Sequence, residues 1–121
     1  MRQSYSGARA AWLRSTDRIE RLDRKGPALG AVRMTNPDAL AIAARLDASR
    51  RKVPRPLEGV PILLKDNIAT GDKQPTTAGS LALADAKARR DATVTRLLRE
   101  AGAVILGKAN LTEFANFLAI G

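Results

Sequence analysis

The chain has 121 residues and a formal net charge of +9, with 45% hydrophobic residues and neither cysteine nor histidine. That length suits one domain or part of one, able to bury roughly two-thirds of its unfolded surface. The missing residue types exclude disulfides, thiolate and imidazole metal sites, and Cys–His or Ser–His catalysis within the chain.

Along the chain, residues 1–15 hold no apolar stretch of signal-peptide length. Residues 4–24 read as a helix. Ala8, Trp12, Ser15, Ile19 and Leu22 recur at alternating spacings of four and three, one stripe of a helical surface. The charges on this stretch are mixed. Residues 1–52 hold 12 Lys/Arg against 5 acids, and residues 53–121 hold 9 against 7. Arg14, Asp17, Arg18, Glu20, Arg21, Asp23 and Arg24 interleave at helical spacing, which suits i,i+3 and i,i+4 pairing better than phosphate binding. No nucleic-acid partner is expected. Gly26-Pro27 ends the helix. Leu29–Thr35 reads as a strand or an extended connector. Asn36-Pro37 is a helix start, with Asn as cap and Pro at the first turn. The helix that follows is expected to run to about Arg51 and bury Leu40, Ala43 and Leu46.

Residues 52–58 carry two prolines and form a loop. Val60–Leu64 then reads as a strand buried on both faces, closed abruptly by Lys65, Asp66 and Asn67. A lysine at the end of a buried strand sits at the rim of the core, where ligands and catalytic groups collect in α/β proteins. Partial desolvation there lowers a lysine's affinity for its proton and makes it a base near neutral pH. The competing explanation is a chain simply re-entering solvent. Ala69–Ser80, rich in Gly, Pro, Thr and Asp, is a long loop placed to border any site at the strand end. Ser80–Ala88 forms at most a short helix.

Asp91 is a plausible N-cap for a helix whose stripe is Val94, Leu97, Leu98 and Ala101, with Gly102 as its C′ residue. Ala103–Leu106 reads as another buried strand. Asn110-x-x-Glu113 has the form of a capping box for a helix through Phe117. Strand, helix, strand in this order implies a right-handed parallel crossover. Tyr5, Trp12, Phe114 and Phe117 are the only aromatics, so the core must come from Leu, Ile, Val and Ala. No apolar run approaches the length of a membrane span, and no clustered-Asp spacing suggests a metal. The expectations are a cytoplasmic protein without cofactor, metal or membrane association, of open oligomeric state.

Several pieces together carry a family resemblance. Pro56 through Asn67 (Pro-Leu-Glu-Gly-Val-Pro-Ile-Leu-Leu-Lys-Asp-Asn) resembles the lysine-bearing segment of the amidase signature family. Thr76-Thr77-Ala78-Gly79-Ser80 resembles the loop after it. Asp91–Val94, and Gly102 through Phe114, resemble the next helix, strand and helix start. Asn36–Leu40 also looks like the family, and the resemblance covers roughly residues 15–121. It implies an α/β fold, the N-terminal part of the amidase signature fold, with helices packed on a mixed, partly parallel sheet. Residues 1–52 would be a helical lead-in and 53–121 the start of the catalytic sheet.

The implied activity is hydrolysis of a carboxylic amide by a Ser–cis-Ser–Lys triad, without cofactor or metal. One serine attacks the carbonyl carbon and the second relays its proton to a neutral lysine. By motif position Lys65 is that base, with Asp66 and Asn67 supporting it. The family's Gly-Gly-Ser-Ser-Gly-Gly-type loop, the source of both serines, lies downstream of the segment ending in Phe114–Gly121, so this chain lacks its nucleophile. Ser80, a lone serine in the Thr-Thr-Ala-Gly-Ser loop, reads as structural. The expected identity is therefore the front part of an amidase, inactive as these residues alone. The alternatives are the amidase-like component of an amidotransferase acting on misacylated tRNA, and a non-catalytic fragment that binds protein or nucleic acid.

Overall fold

The structure is a computed structural model, and it describes residues 7–49 and 51–115. Helix α1 spans Ala8–Arg18 and continues through Ile19–Arg24 as a wider coil, in which the Lys25 amide reaches back five residues to the Glu20 carbonyl. Strand β1 is Val32–Thr35, helix α2 Ala39–Ala48, strand β2 Pro61–Lys65, helix α3 Thr93–Glu100 and strand β3 Val104–Ala109. The strands form one mixed sheet in the order β1-β3-β2, with β1 antiparallel and β2 parallel to β3. The parallel crossover through α3 is present. One strand of the sheet, β1, comes from the first 52 residues.

The sheet explains which strand is buried. β3 lies in the middle, and Val104, Ile105 and Leu106 are all buried. β2 is an edge strand, and the expectation of burial on both faces fails for it. Leu64 is buried, whereas Leu63 and Val60 are exposed, because no further strand or helix among the described residues covers them. On one face of the sheet, Ala8, Ala39, Ala43 and Val104 form a small core with Trp12, Ile42 and Leu46 packed against it. Alanines at these contacts let the backbones of the two helices approach closely.

The stripe of α1 holds at Ala8 and Trp12 and fails at Leu22, and that of α2 holds at Ala43 and Leu46 and fails at Leu40. In the wider coil after α1, i→i+5 spacing advances the surface by less per residue. Leu22 swings out to 47% exposure and Asp23 swings in to 7%. The buried Asp23 carboxylate accepts the Ala31 and Val32 amides and so anchors the start of β1. In α2, Ala39 and Ala43 face inward and Leu40 is exposed. The helix ends at Ala48 rather than Arg51, and Ser49 caps it through a hydroxyl that donates to the Arg45 carbonyl. Asn36 does start this helix. Its Oδ1 accepts the Asp38 amide while its Nδ2 donates to the Ile105 carbonyl, so the same side chain ties α2 to β3.

In α3 the inward residue is Thr95, fully buried and donating to the Ala69 carbonyl, while Val94 and Leu97 are about half exposed. The cap residue is Ala92, not Asp91. Gly102 ends the helix as expected. At φ +99° its amide bonds the Arg99 carbonyl and the next amide, of Ala103, bonds Leu98, the paired bonds of a Schellman ending. The predicted capping box at Asn110 does not form. Asn110 instead donates its side-chain amide to the Gly30 carbonyl, and Glu113–Ala115 is one short turn in which Phe114 has φ +50°. Phe117 lies outside the described residues.

Candidate active site

Lys65 is the last residue of β2, and its register partner is Ala109. Successive side chains of a strand point to opposite faces. Leu64 pairs with Lys108 and is buried, so Lys65 projects from the other face and is exposed. The expected partial desolvation of Lys65 is not provided by the described residues. Edge position is the reason: among those residues nothing lies beyond β2 to cover it.

The corner after Lys65 is sharply built. The Ile68 amide bonds the Lys65 carbonyl across a four-residue turn, and the Asp66 amide bonds the Ala109 carbonyl, extending the β2–β3 pairing by one step. Asp66 is fully buried. Its carboxylate accepts the Thr77 hydroxyl and amide, and its carbonyl accepts the Ala78 amide. Arg33 of β1 brings its Nε to 3.0 Å from the same carboxylate, with the N–H not aligned as a hydrogen bond. Asp66 thus holds the Thr77–Ser80 turn against the strand end. In that turn Ala78 and Gly79 both have positive φ and the Ser80 amide bonds the Thr77 carbonyl. Asn67 is exposed, and among the described residues neither Asp66 nor Asn67 bonds the Lys65 side chain. Ser80 is buried in the turn.

The buried lysine is a different one. Lys108 of β3 is 0% exposed. Its Nζ donates to the Ile68 carbonyl at 2.9 Å, the Thr76 hydroxyl at 3.0 Å and the Pro75 carbonyl at 3.5 Å. Burial pushes its pKa below the ordinary lysine value, and the charges of Asp66 and Asp72 offset part of that. A signal for it exists in the sequence: Ala103 through Lys108 is an apolar run ending in lysine, like the one ending at Lys65. The run continues through a glycine, which hides the true strand end. Gly107 is where β1 crosses closest, since a Cβ there would collide with the Met34 carbonyl oxygen.

Arg99 on α3 pins the outer part of the same loop. It bridges Asp72 at 2.7 Å and Asp91 at 3.0 Å. Burial raises the Asp72 carboxyl pKa, but the Gln74 amide and the Arg99 guanidinium outweigh it, so Asp72 titrates below its ordinary range. Asp91, expected as a helix cap, instead accepts the Gly71 amide.

A hollow of about 500 Å³ opens at the other end of β2, lined by Ala11, Leu46, Asp47, Glu58, Val60 and Pro61 among others. It does not include Lys65. Among the described residues no group of three His, Asp or Glu side chains is placed to hold a metal ion, and no helix is long and apolar enough to cross a membrane.

The fold of these residues is that of known proteins. The amidase family profile matches residues 13–119. A protein of Arabidopsis thaliana named as a probable amidase is 52% identical over 104 residues, covering 82% of this chain and 20% of that protein. The A component of the glutamyl-tRNA(Gln) amidotransferase of Exiguobacterium sibiricum is 45% identical over 101 residues, covering 84% of this chain and again 20% of the relative. Among solved structures, the peptide amidase of Stenotrophomonas maltophilia superposes with a TM-score of 0.86 at 48% identity over 93% of this chain and 23% of that one. An amidase family protein of Bacillus anthracis superposes at 0.90 with 36% identity, covering 97% and 23%. The chain spans about a fifth of the length of the relatives it matches, and over that span it belongs to the amidase family.

Proposed function

We propose that these residues are the lysine-bearing part of a cytoplasmic amidase that hydrolyses a carboxylic amide, with Lys65 as the base. What carries this reading is Lys65 at the open end of β2, inside a stretch that aligns throughout with amidases. In the reaction a serine oxygen attacks the amide carbon. Its proton passes through a second serine to neutral Lys65, and the collapse of the tetrahedral adduct expels the amine, which takes that proton. Water then repeats the sequence on the acyl-enzyme and frees the acid. The five serines of the chain, Ser4, Ser6, Ser15, Ser49 and Ser80, include no adjacent pair. On the family resemblance, both reacting serines, and the cover that keeps Lys65 neutral, are assigned to residues outside the 121. The chain alone hydrolyses no amide, because a base without a nucleophile transfers no acyl group.

The test joins these residues to the remaining part of the peptide amidase of Stenotrophomonas maltophilia, of which they match 23%, and assays amide release from a peptide amide. Activity is expected in the joined protein and not in the 121 residues. Lys65→Met and Lys65→Arg should each abolish it, the latter because guanidinium keeps its proton. A Lys65→Met protein with undiminished kcat would remove the assignment. Dependence on tRNA and on partner chains would instead favour the amidotransferase reading, which rests on the 45% identity to the Exiguobacterium amidotransferase component.

A further inference from the structure

We propose that Lys108 is a positioning residue, whose buried ammonium clamps the turn carrying Lys65, and the loop behind it, onto β3. The geometry is a chain of bonds. The Lys65 carbonyl accepts the Ile68 amide, and the Ile68 carbonyl accepts Lys108 Nζ. The same Nζ reaches the Thr76 hydroxyl and the Pro75 carbonyl, next to the Thr77 that binds Asp66. An ammonium has three donors and here meets three acceptors, from both ends of the 68–76 loop. No carboxylate is among them. Asp66 is engaged by Thr77 and Arg33, and Asp72 by Arg99 and Gln74. A cation sealed under a loop, bonded to its carbonyls and hydroxyl, does there what a bound metal ion does elsewhere: it gathers backbone oxygens that otherwise repel one another. A neutral side chain of equal length fills the space and gathers nothing.

The clamp takes the role of Lys65 from the proposed function, but its test reads only the turn and the loop. Failure of the amidase reading and failure of the clamp are therefore separate results. The chain has no cysteine, so Lys108→Cys introduces a unique thiol. Alkylated with bromoethylamine in denaturant and refolded, it regains an ammonium at nearly the same reach; alkylated with propyl iodide it gains a neutral chain. Amide hydrogen exchange is followed at Ile68, Thr76, Ala78 and Ser80, and at Asn36 and Val104 as controls bonded to the Leu106 and Val60 carbonyls. Lys108→Cys is expected to speed exchange of the four loop amides at least about tenfold over the controls, the scale of one lost hydrogen bond. Aminoethylation should restore them and propylation should not. Equal recovery with either reagent, or equal acceleration at loop and controls, overturns the clamp. Should Lys108→Cys fail to fold, Thr76→Val removes one acceptor from the loop side. The same local acceleration is then expected, and its absence is equally decisive.

Discussion

Two lysines end apolar runs in this chain, and the run alone does not tell them apart. Lys65 closes an edge strand and is exposed; Lys108 lies near the end of the central strand and is fully buried. What separates them is the side of the strand and the neighbour across it, both properties of the sheet. The residue between Lys65 and the loop matters in a different way. The motif puts Asp66 beside the lysine as its support, and its visible bonds go to Thr77, Ala78 and Arg33 instead. Asp66→Ala strands a partly buried guanidinium and an unsatisfied hydroxyl. It should destabilise the chain by about 3 kcal/mol in urea denaturation, as loss of one member of a buried pair does. Lys65→Met, at an exposed position, should move the same transition by less than about 0.5 kcal/mol.

At the level of elements, periodicity finds the helices and most of the inward faces of α1 and α2, but not that of α3. The stripe through Ala8 and Trp12 fails at Leu22, where the coil widens. The stripe Val94, Leu97 and Ala101 is real as a pattern, yet Thr95 is the residue that faces in. Its methyl packs while its hydroxyl satisfies the Ala69 carbonyl, a role an apolar count cannot score. Caps follow the same rule. The Gly102 ending uses only local bonds and is legible in the sequence. The start of α1 has no local cap: Asp47 of α2 supplies it, accepting the Ala8 and Arg9 amides from 39 and 38 residues away. Glycine in β3 also answers to a distant partner. Gly107→Ala would press a Cβ against the Met34 carbonyl, where backbone must yield. A loss of about 3 kcal/mol or more is expected, with the β1–β3 amides the first to lose exchange protection.

For the whole molecule, charge acts through a few pinned groups rather than through the net value. The Asp72 pKa is lowered on folding, so its contribution is present above its ordinary value of 3.8 and is lost as pH falls through the lower folded value. Acid unfolding of the wild type should steepen below about pH 4, and Asp72→Asn should flatten that limb while weakening the fold at neutral pH. Lys108 has the opposite effect. Its pKa is also lowered, but for a base this means that charging it opposes folding, and the penalty eases as pH rises toward 10.5. Local periodicity, turn chemistry and linear motifs suffice for the α/β class, the element order, the parallel crossover, the Gly102 ending and the family, because each of these is written in neighbouring residues. Strand order is not. That β3 is the centre and β2 the edge, that Lys108 and not Lys65 is sealed, and that Asp23, Asp66 and Thr95 face inward all follow from the packed sheet. These outcomes depend on bonds between residues far apart in the chain, which no local pattern encodes.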